Sequence, residues 1–336
     1  MISEPPTSGP PELSIVVPVY NEAPNVAPLL ARLVPILEGC VASFEIVFVN
    51  DGSNDATLAA VRQAHAADAR VKLVSLSRNF GKEIAIAAGL DVVSGAATVI
   101  IDADLQHPPE MITTFVALWR RGYKNVYGER TDRSADTFLR RVLTQRFYRL
   151  FSSFGETRLP EGAGDFRLLD AQAVMALRAL REKARFSKGL YAWIGFKSIG
   201  VPFEVAERAH GVSKFSYRKL TRFALDGLMS FSTLPLMVWT YVGTCISVVA
   251  LATAIYFVAE TLIFGADVPG YASLIVSVTF LAGIQLLSLG VLGEYIGRIF
   301  AEVKRRPLYL VEEHLGSLPP AETEFDAALR RRRGDG

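Results

Sequence analysis

Two stretches of this chain, Gly227 to Ala259 and Val268 to Gly293, contain no charged residue. Each exceeds the roughly 20 residues a helix needs to cross the hydrocarbon core of a bilayer, whereas buried core helices are shorter and seldom lack charge for so long. A pair of transmembrane helices, about 234–259 and 271–293, is the economical expectation. The composition agrees: 50% of the 336 residues are hydrophobic and the mean hydropathy is +0.27, too apolar for an ordinary soluble enzyme but suited to a globular part joined to membrane segments.

The flanks orient the pair. The connection Glu260 to Gly270 has no Lys or Arg, while Arg218, Lys219 and Arg222 precede the first stretch and Arg298, Lys304, Arg305 and Arg306 follow the second. The positive-inside bias then puts both flanks, and the globular part with them, on the cytoplasmic side of a lipid bilayer. Within Tyr217 to Ser232, Leu220, Phe223, Ala224, Leu228 and Phe231 recur at helical spacing beside three cations, which reads as an amphipathic helix lying on the bilayer or packed as an ordinary surface helix. Met1 to Pro11 reads as a disordered, polar, Pro-rich leader with no apolar core for a signal peptide. The resulting division is a leader over 1–11, a globular domain over 12–215, a juxtamembrane amphipathic helix over 216–232, a membrane hairpin over 233–297 and a cytoplasmic tail over 298–336. The two cysteines, Cys40 and Cys245, fall in different regions and predict no disulfide. A net charge of +2 gives no electrostatic reason to expect nucleic acid.

In the first half, apolar, β-branched runs alternate with helical patterns: Leu13 to Val19 then Ala23 to Leu37, Phe44 to Asn50 then Ala56 to Ala66, Val71 to Leu76 then Lys82 to Val93, and Thr98 to Asp102 then Pro108 to Arg121. Strands that are apolar throughout suit a sheet covered on both faces, so the expected fold is a doubly wound, Rossmann-like α/β domain. Such sheets bind ligands beyond the carboxyl ends of their strands. Tyr20, Asn21 and Glu22, then Asp51, then Asp102 and Asp104 fall at three such ends. No Gly-x-Gly-x-x-Gly or P-loop motif is present, the four histidines (His65, His107, His210, His314) are too scattered for a zinc site, and no nucleophile elbow appears.

Residues 101 to 109 read Ile-Asp-Ala-Asp-Leu-Gln-His-Pro-Pro. Alternation along an extended segment would put Asp102, Asp104 and Gln106 on one side, an oxygen cluster suited to Mg²⁺ or Mn²⁺ carrying a diphosphate. The same acidic pair also serves turns and helix N-caps.

The order and spacing of Val16-Val17-Pro18-Val19-Tyr20-Asn21-Glu22, Asn50-Asp51-Gly52-Ser53, Arg78-Asn79-Phe80-Gly81-Lys82 and Asp102-Ala103-Asp104-Leu105-Gln106-His107-Pro108 resemble family 2 glycosyltransferases of the GT-A fold. More narrowly the chain resembles the polyprenyl-phosphate glycosyltransferases, which include dolichol-phosphate mannose synthases and bactoprenol glucosyltransferases of O-antigen modification. Gly164-Asp165-Phe166-Arg167-Leu168, Ala206-Glu207-Arg208, Gly211-Val212-Ser213-Lys214, Ser230-Phe231-Ser232-Thr233 and Leu292-Gly293-Glu294-Tyr295-Ile296-Gly297-Arg298 carry that second likeness, which extends from about Leu13 to about Leu310.

The resemblance implies roles. Pro18, Tyr20, Glu22, Asp51, Lys82, Asp102, Ala103 and Arg130 would bind the nucleotide sugar, with Asp104 and Gln106 as metal ligands for Mg²⁺ or Mn²⁺. Asp102, Asp104 and Asp165 would be catalytic, the role of Asp165 being open between base, sugar-hydroxyl ligand and holder of Arg167. Arg208 and Lys214 would clamp the acceptor phosphate, a guanidinium fork beside a point charge. The implied reaction moves a hexose, glucose from UDP-glucose, to undecaprenyl phosphate with inversion, at the cytoplasmic face of the inner membrane, in a multi-pass protein. Transfer of N-acetylglucosamine, mannose or an aminoarabinose-type sugar, or a noncatalytic nucleotide-sugar sensor on the same fold, are the rivals. Gly283, Gly290 and Gly297 recur every seven residues, with Gly293 completing a Gly-x-x-x-Gly pair, a small-residue face for the first span or for a second copy in a homo-oligomer such as a tetramer.

Overall fold

The computed structural model describes residues 9–130, 163–183, 185–203, 234–264 and 270–317. Two compact units divide the chain, one of Met1–Leu220 with Arg306–Gly336 and one of Thr221–Arg305. In the first, strands β1 (Leu13–Val19), β2 (Phe44–Asn50), β3 (Val71–Leu76), β4 (Ala97–Ile100), β5 (Asn125–Arg130), β6 (Ala163–Asp170), β7 (Ser198–Phe203) and β8 (Val311–Leu315) form one sheet in the order β7-β5-β6-β4-β1-β2-β3-β8. β1 pairs in parallel with β2 and β4, β2 with β3 and β5 with β7, while β6 and β8 run antiparallel to their neighbours.

Helices cover both faces. Odd-numbered residues of β1 and even-numbered residues of β2 join a core closed by α1 (Ala23–Cys40), α2 (Thr57–Ala67) and α4 (Met111–Arg120). On α1, Val26, Leu29, Leu33 and Leu37 recur at three- and four-residue spacing and are all buried, each contributing roughly 1.5–3 kcal/mol. The helix itself runs three residues past the expected end at Leu37, to Cys40. The opposite face takes α3 (Lys82–Val92), where a Cβ on Gly89 would lie 2.4 Å from Val16 Cγ1, so only glycine lets the helix sit this close to β1. Helices α5 (Ala171–Ala179) and α6 (Ser187–Trp193) follow β6.

Two expectations are revised in this unit. The fourth strand stops at Ile100, so Asp102, Asp104 and Gln106 lie in a turn-containing loop and alternation does not align them. Leu105 has φ 59, a left-handed conformation that costs an ordinary residue about 1–2 kcal/mol; its side chain is buried, so core packing stabilises the turn. The second revision concerns the expected tail, because Val311–Leu315 pairs with β3 and covers an otherwise open sheet edge. Ser77 N donates to Leu310 O at 2.9 Å and Tyr309, fully buried, donates to Asp91 Oδ2 at 2.7 Å.

The second unit contains α7 (Leu234–Phe264) and α8 (Tyr271–Val303), both longer than the expected 234–259 and 271–293. Helix α8 runs on through an Arg298–Glu294 ion pair one turn apart at 3.2 Å. Among the described residues one segment, Phe280–Val303, is long and apolar enough to cross a membrane, and none of its most apolar stretch is buried; the apolar run Tyr241–Thr253 on α7 is shorter. The amphipathic segment 216–232 and the leader up to residue 8 lie outside the described residues.

Candidate active site

The crevice opens where β1 and β4 part. Their pairing ends at Val16 and Ile100, while β1 continues along β2 to Val19. Ile101 N donates to Val16 O on the β4 side and Asp51 N to Val19 O on the β2 side. By alternation Pro18 turns its missing N–H toward the space that β4 has left, so proline is accommodated in a central strand without losing a ladder bond.

Two loops lock together at the strand ends. Asn21 N donates to Ser53 Oγ at 3.0 Å, Asn54 N to Asn21 Oδ1 at 2.9 Å and Glu22 N to Thr57 Oγ1 at 2.9 Å. Asn21 has φ 56, a conformation asparagine tolerates better than most residues. Tyr20 stands partly exposed beside this clasp, and Glu22 Oε2 accepts from Asn25 Nδ2 at 2.5 Å. Asp51 is buried and accepts the amides of Phe80 at 2.7 Å and Gly81 at 2.9 Å. Burial pushes its carboxyl above the usual range, only partly countered by those amides and Arg78. A Cβ on Gly52, whose φ is +65, would come within 2.4 Å of the Arg78 carbonyl carbon, so the loop before α3 is pressed against the end of β2.

That loop delivers Lys82. Its Nζ lies 2.7 Å from Asp102 Oδ1, 2.8 Å from Asp102 Oδ2 and 3.1 Å from Asp165 Oδ2. Register explains the meeting: Ile100 pairs with Arg167 across antiparallel β4 and β6, so two residues further on Asp102 and Asp165 are level. Burial works against the charge on Lys82, but Asp102 and then Asp165 outweigh it and its pKa rises well above the ordinary lysine value. For Asp165 burial would raise the carboxyl, yet Lys82, Lys188 and Arg167 together hold it well below the usual range. Asp165 Oδ1 is buried with no hydrogen-bond partner among the described residues, an acceptor available to a ligand hydroxyl. Arg167 is held by Gly164 O at 2.5 Å and Asn125 Oδ1 at 3.5 Å, with its guanidinium 3.6 Å from the Tyr191 ring centroid, so the ion-pair partner of Asp165 is Lys82.

His107 Nδ1 sits 3.8 Å from Asp102 Oδ2, its ring stacked on Phe166 at 5.0 Å and edge-on to Phe203 at 5.7 Å. Burial lowers its pKa, so the imidazole is neutral near pH 7. Behind Lys82, Glu83 accepts a short hydrogen bond from Ser187 Oγ on α6. Burial and then the Asp165 charge push Glu83 up to about 7, against the lowering effect of Ser187, Lys82 and Lys188. Glu83, His107 and Ser187 complete the cluster beyond the expected site residues. Glu83 lies in the first turn of α3 directly after Lys82, the one local signal that could have found it; Ser187 carries no signal at all.

Gln106 N donates to Asp104 Oδ1 at 3.1 Å, which orients that carboxylate within the loop, and Ala103 is buried beneath it. Among the described residues no three His, Cys, Asp or Glu side chains converge as a metal cage. Mg²⁺ or Mn²⁺ here would draw most of its oxygens from diphosphate and water, the usual habit of a hard ion bound by one or two protein ligands. The donor set of Asp104 and Gln106 fits that arrangement. Arg130 closes β5 opposite Phe203, and its side chain lies outside the described residues, as do Arg208 and Lys214.

Residues 14–178 match the family described as glycosyl transferase family 2. An uncharacterized glycosyltransferase of Synechocystis is 48% identical over 305 residues, covering 91% of this chain and 96% of its own. A prophage-derived bactoprenol glucosyl transferase of Shigella flexneri is 42% identical over 307 residues, covering 91% of this chain and 99% of its own. Glucosyl-3-phosphoglycerate synthase from Mycobacterium tuberculosis, solved with Mn²⁺ and UDP-glucose, superposes at a TM-score of 0.44 with 19% identity over 65% of this chain and 77% of its own, a likeness too distant for functional comparison. Sequence identity at this level along nine-tenths of the chain, on a GT-A-type sheet with its acidic loop at the strand ends, makes the protein a glycosyltransferase of family 2.

Proposed function

We propose that the protein transfers glucose from UDP-glucose to undecaprenyl phosphate at the cytoplasmic face of the membrane, with inversion at the anomeric carbon. The observation that carries this reading is the meeting of Lys82, Asp102 and Asp165 at the carboxyl ends of the sheet, beside a loop able to seat a metal-bound diphosphate. Relatives named bactoprenol glucosyl transferase, 42% identical along nine-tenths of the chain, support the lipid acceptor and the sugar. Apolar side chains left exposed on both long helices, among them Leu251, Leu262, Phe280, Leu286, Leu289 and Phe300, support a bilayer around them, since water rarely meets such a surface on a folded protein.

Each residue then has a task. Tyr20, Glu22 and Asp51 border the base and ribose, with Pro18 and Ala103 shaping the floor. Asp104 and Gln106 would hold the divalent ion, with Asp102 alongside, and the chemistry such an ion would supply is neutralisation of charge on the departing diphosphate. Lys82 and Arg130 face the phosphates. Arg208 and Lys214 grip the acceptor phosphate, which has a second pKa near roughly 6 by analogy with phosphorylated side chains and is mostly dianionic at pH 7. One of its oxygens attacks the anomeric carbon as the bond to the diphosphate breaks. A dianion needs little help from a base, so Asp165 serves to orient a sugar hydroxyl through its free oxygen and holds Lys82 only until the donor binds. Positioning and electrostatics supply most of the rate.

Membranes containing the protein, given undecaprenyl phosphate and a panel of radiolabelled nucleotide sugars, test the reading. Label from UDP-glucose should pass into a lipid-extractable product. Label from a different sugar would replace the donor, and no labelled lipid from any of them would refute the proposed reaction.

A further inference from the structure

Lys82 sets a positive charge against Asp102, the carboxylate next to the proposed metal ligands Asp104 and Gln106. Its ammonium is within 3.1 Å of both Asp102 and Asp165, while the helix that carries it is fixed at both ends. At its start the amides of Phe80 and Gly81 are bound by Asp51; at its finish Arg178 Nε donates to Leu90 O at 2.6 Å, and Asp91 accepts from Arg181 at 2.6 Å and Tyr309 at 2.7 Å. The ammonium therefore moves by its own rotamers and not by a shift of α3. The side chains of Lys82, Asp102 and Asp165 are 44%, 24% and 17% exposed, so solvent and ions reach the cluster from the Lys82 side.

Resting on the donor-site reading above, we propose that Lys82 fixes the order of binding: it serves as an internal counter-ion for Asp102 and Asp165, so that a divalent cation binds with the nucleotide diphosphate and not before it. A fixed positive charge about 3 Å from both carboxylates repels a second cation and occupies their lone pairs. A diphosphate reverses this balance. Its negative charge attracts the divalent ion and the ammonium together, and lysine, a point charge with three donors on a flexible stem, passes from carboxylate to phosphate oxygen without moving the backbone. No covalent bond changes in this step.

Binding of Mn²⁺ to the full-length protein in detergent, followed by electron paramagnetic resonance with and without UDP, tests this. The wild type should bind Mn²⁺ weakly alone and tightly with UDP. Lys82→Gln and Lys82→Met should each bind Mn²⁺ without nucleotide on the order of tenfold more tightly than wild type, while Lys82→Arg keeps the dependence on UDP. Thermal unfolding verifies that each variant is folded. Folded neutral variants that bind Mn²⁺ alone no better than wild type would overturn the inference and leave the donor site standing. Wild-type protein that binds Mn²⁺ equally well with and without UDP would overturn it even if both neutral variants failed to fold. No Mn²⁺ binding with UDP present would instead remove the donor-site reading, and this inference with it.

Discussion

The Asp51 carboxylate accepts the backbone amide of Gly81 at 2.9 Å, so the residue just past β2 fixes the residue that starts α3 and, next to it, Lys82. Asp51 accordingly has a structural duty beyond the nucleotide contact expected from sequence. Asp51→Ala leaves the amides of Phe80 and Gly81 without their acceptor at a cost of about 1–3 kcal/mol. The expected outcome is a lower unfolding temperature together with weaker UDP binding. An unchanged unfolding temperature with weakened UDP binding would confine Asp51 to the ligand.

Glu83 gives a pH dependence with a definite sign. Its pKa is pushed from an ordinary 4.5 to about 7, by burial first and the Asp165 charge second, so the folded state holds the proton more tightly than the unfolded one. Stability from this group is present below about pH 4.5 and is lost as pH rises through about 7. At roughly 1.4 kcal/mol per pKa unit the loss is on the order of 3 kcal/mol at most. His107, whose pKa is lowered by burial, acts in the opposite direction as the unfolded histidine deprotonates near roughly pH 6.5, so the comparison to make is wild type against Glu83→Gln, in which the His107 contribution cancels. Between pH 5 and 7 the advantage of wild type over the variant should shrink in thermal unfolding; a constant difference would mean that Glu83 is ionised throughout.

The fold was legible where burial and local periodicity agree. β1, β2 and β3 occupy the residues expected of them, because apolar β-branched runs bounded by polar turns have one stable use in a doubly covered sheet. β8 was not legible, since Val-Glu-Glu-His-Leu has three polar residues at its centre and becomes a strand only because β3 offers an open edge. The site divides in the same way. Strand ends announced Asp51 and Asp102, which follow from chain-local patterns, whereas Lys82, at a helix start, came only with the family resemblance. The partnership of Glu83 with Ser187, 104 residues apart, comes from the packing of α6 against the start of α3 and leaves no local trace. The loop after β4 misled for a related reason: Leu105 takes a left-handed turn because its side chain is buried, and this breaks the extended alternation assumed for the acidic pair.

Arg208 should report on the acceptor alone. Arg208→Ala is expected to raise the apparent KM for polyprenyl phosphate at least several-fold, as loss of a charge-assisted contact does, with UDP affinity nearly unchanged. Weakened UDP binding with an unchanged acceptor KM would move Arg208 to the donor side.

The charge asymmetry around the two long helices predicts orientation. A cysteine at Gly265 should react with an impermeant reagent added outside intact cells, whereas one at Ser317, beyond β8, should react only after lysis. The opposite pattern would put the site on the wrong side for a cytoplasmic nucleotide sugar.

Transfer by purified full-length protein, with the lipid product identified by mass spectrometry, tests the central claim most directly. The protein supplied with UDP-glucose, undecaprenyl phosphate and Mg²⁺ or Mn²⁺ should form a hexose-phosphate lipid. EDTA should abolish the product, fresh metal should restore it, and Asp104→Asn should lower its rate on the order of 10²-fold or more. Full activity in EDTA, or an Asp104→Asn variant as fast as wild type, would contradict the account of a metal-bound diphosphate seated on the loop after β4.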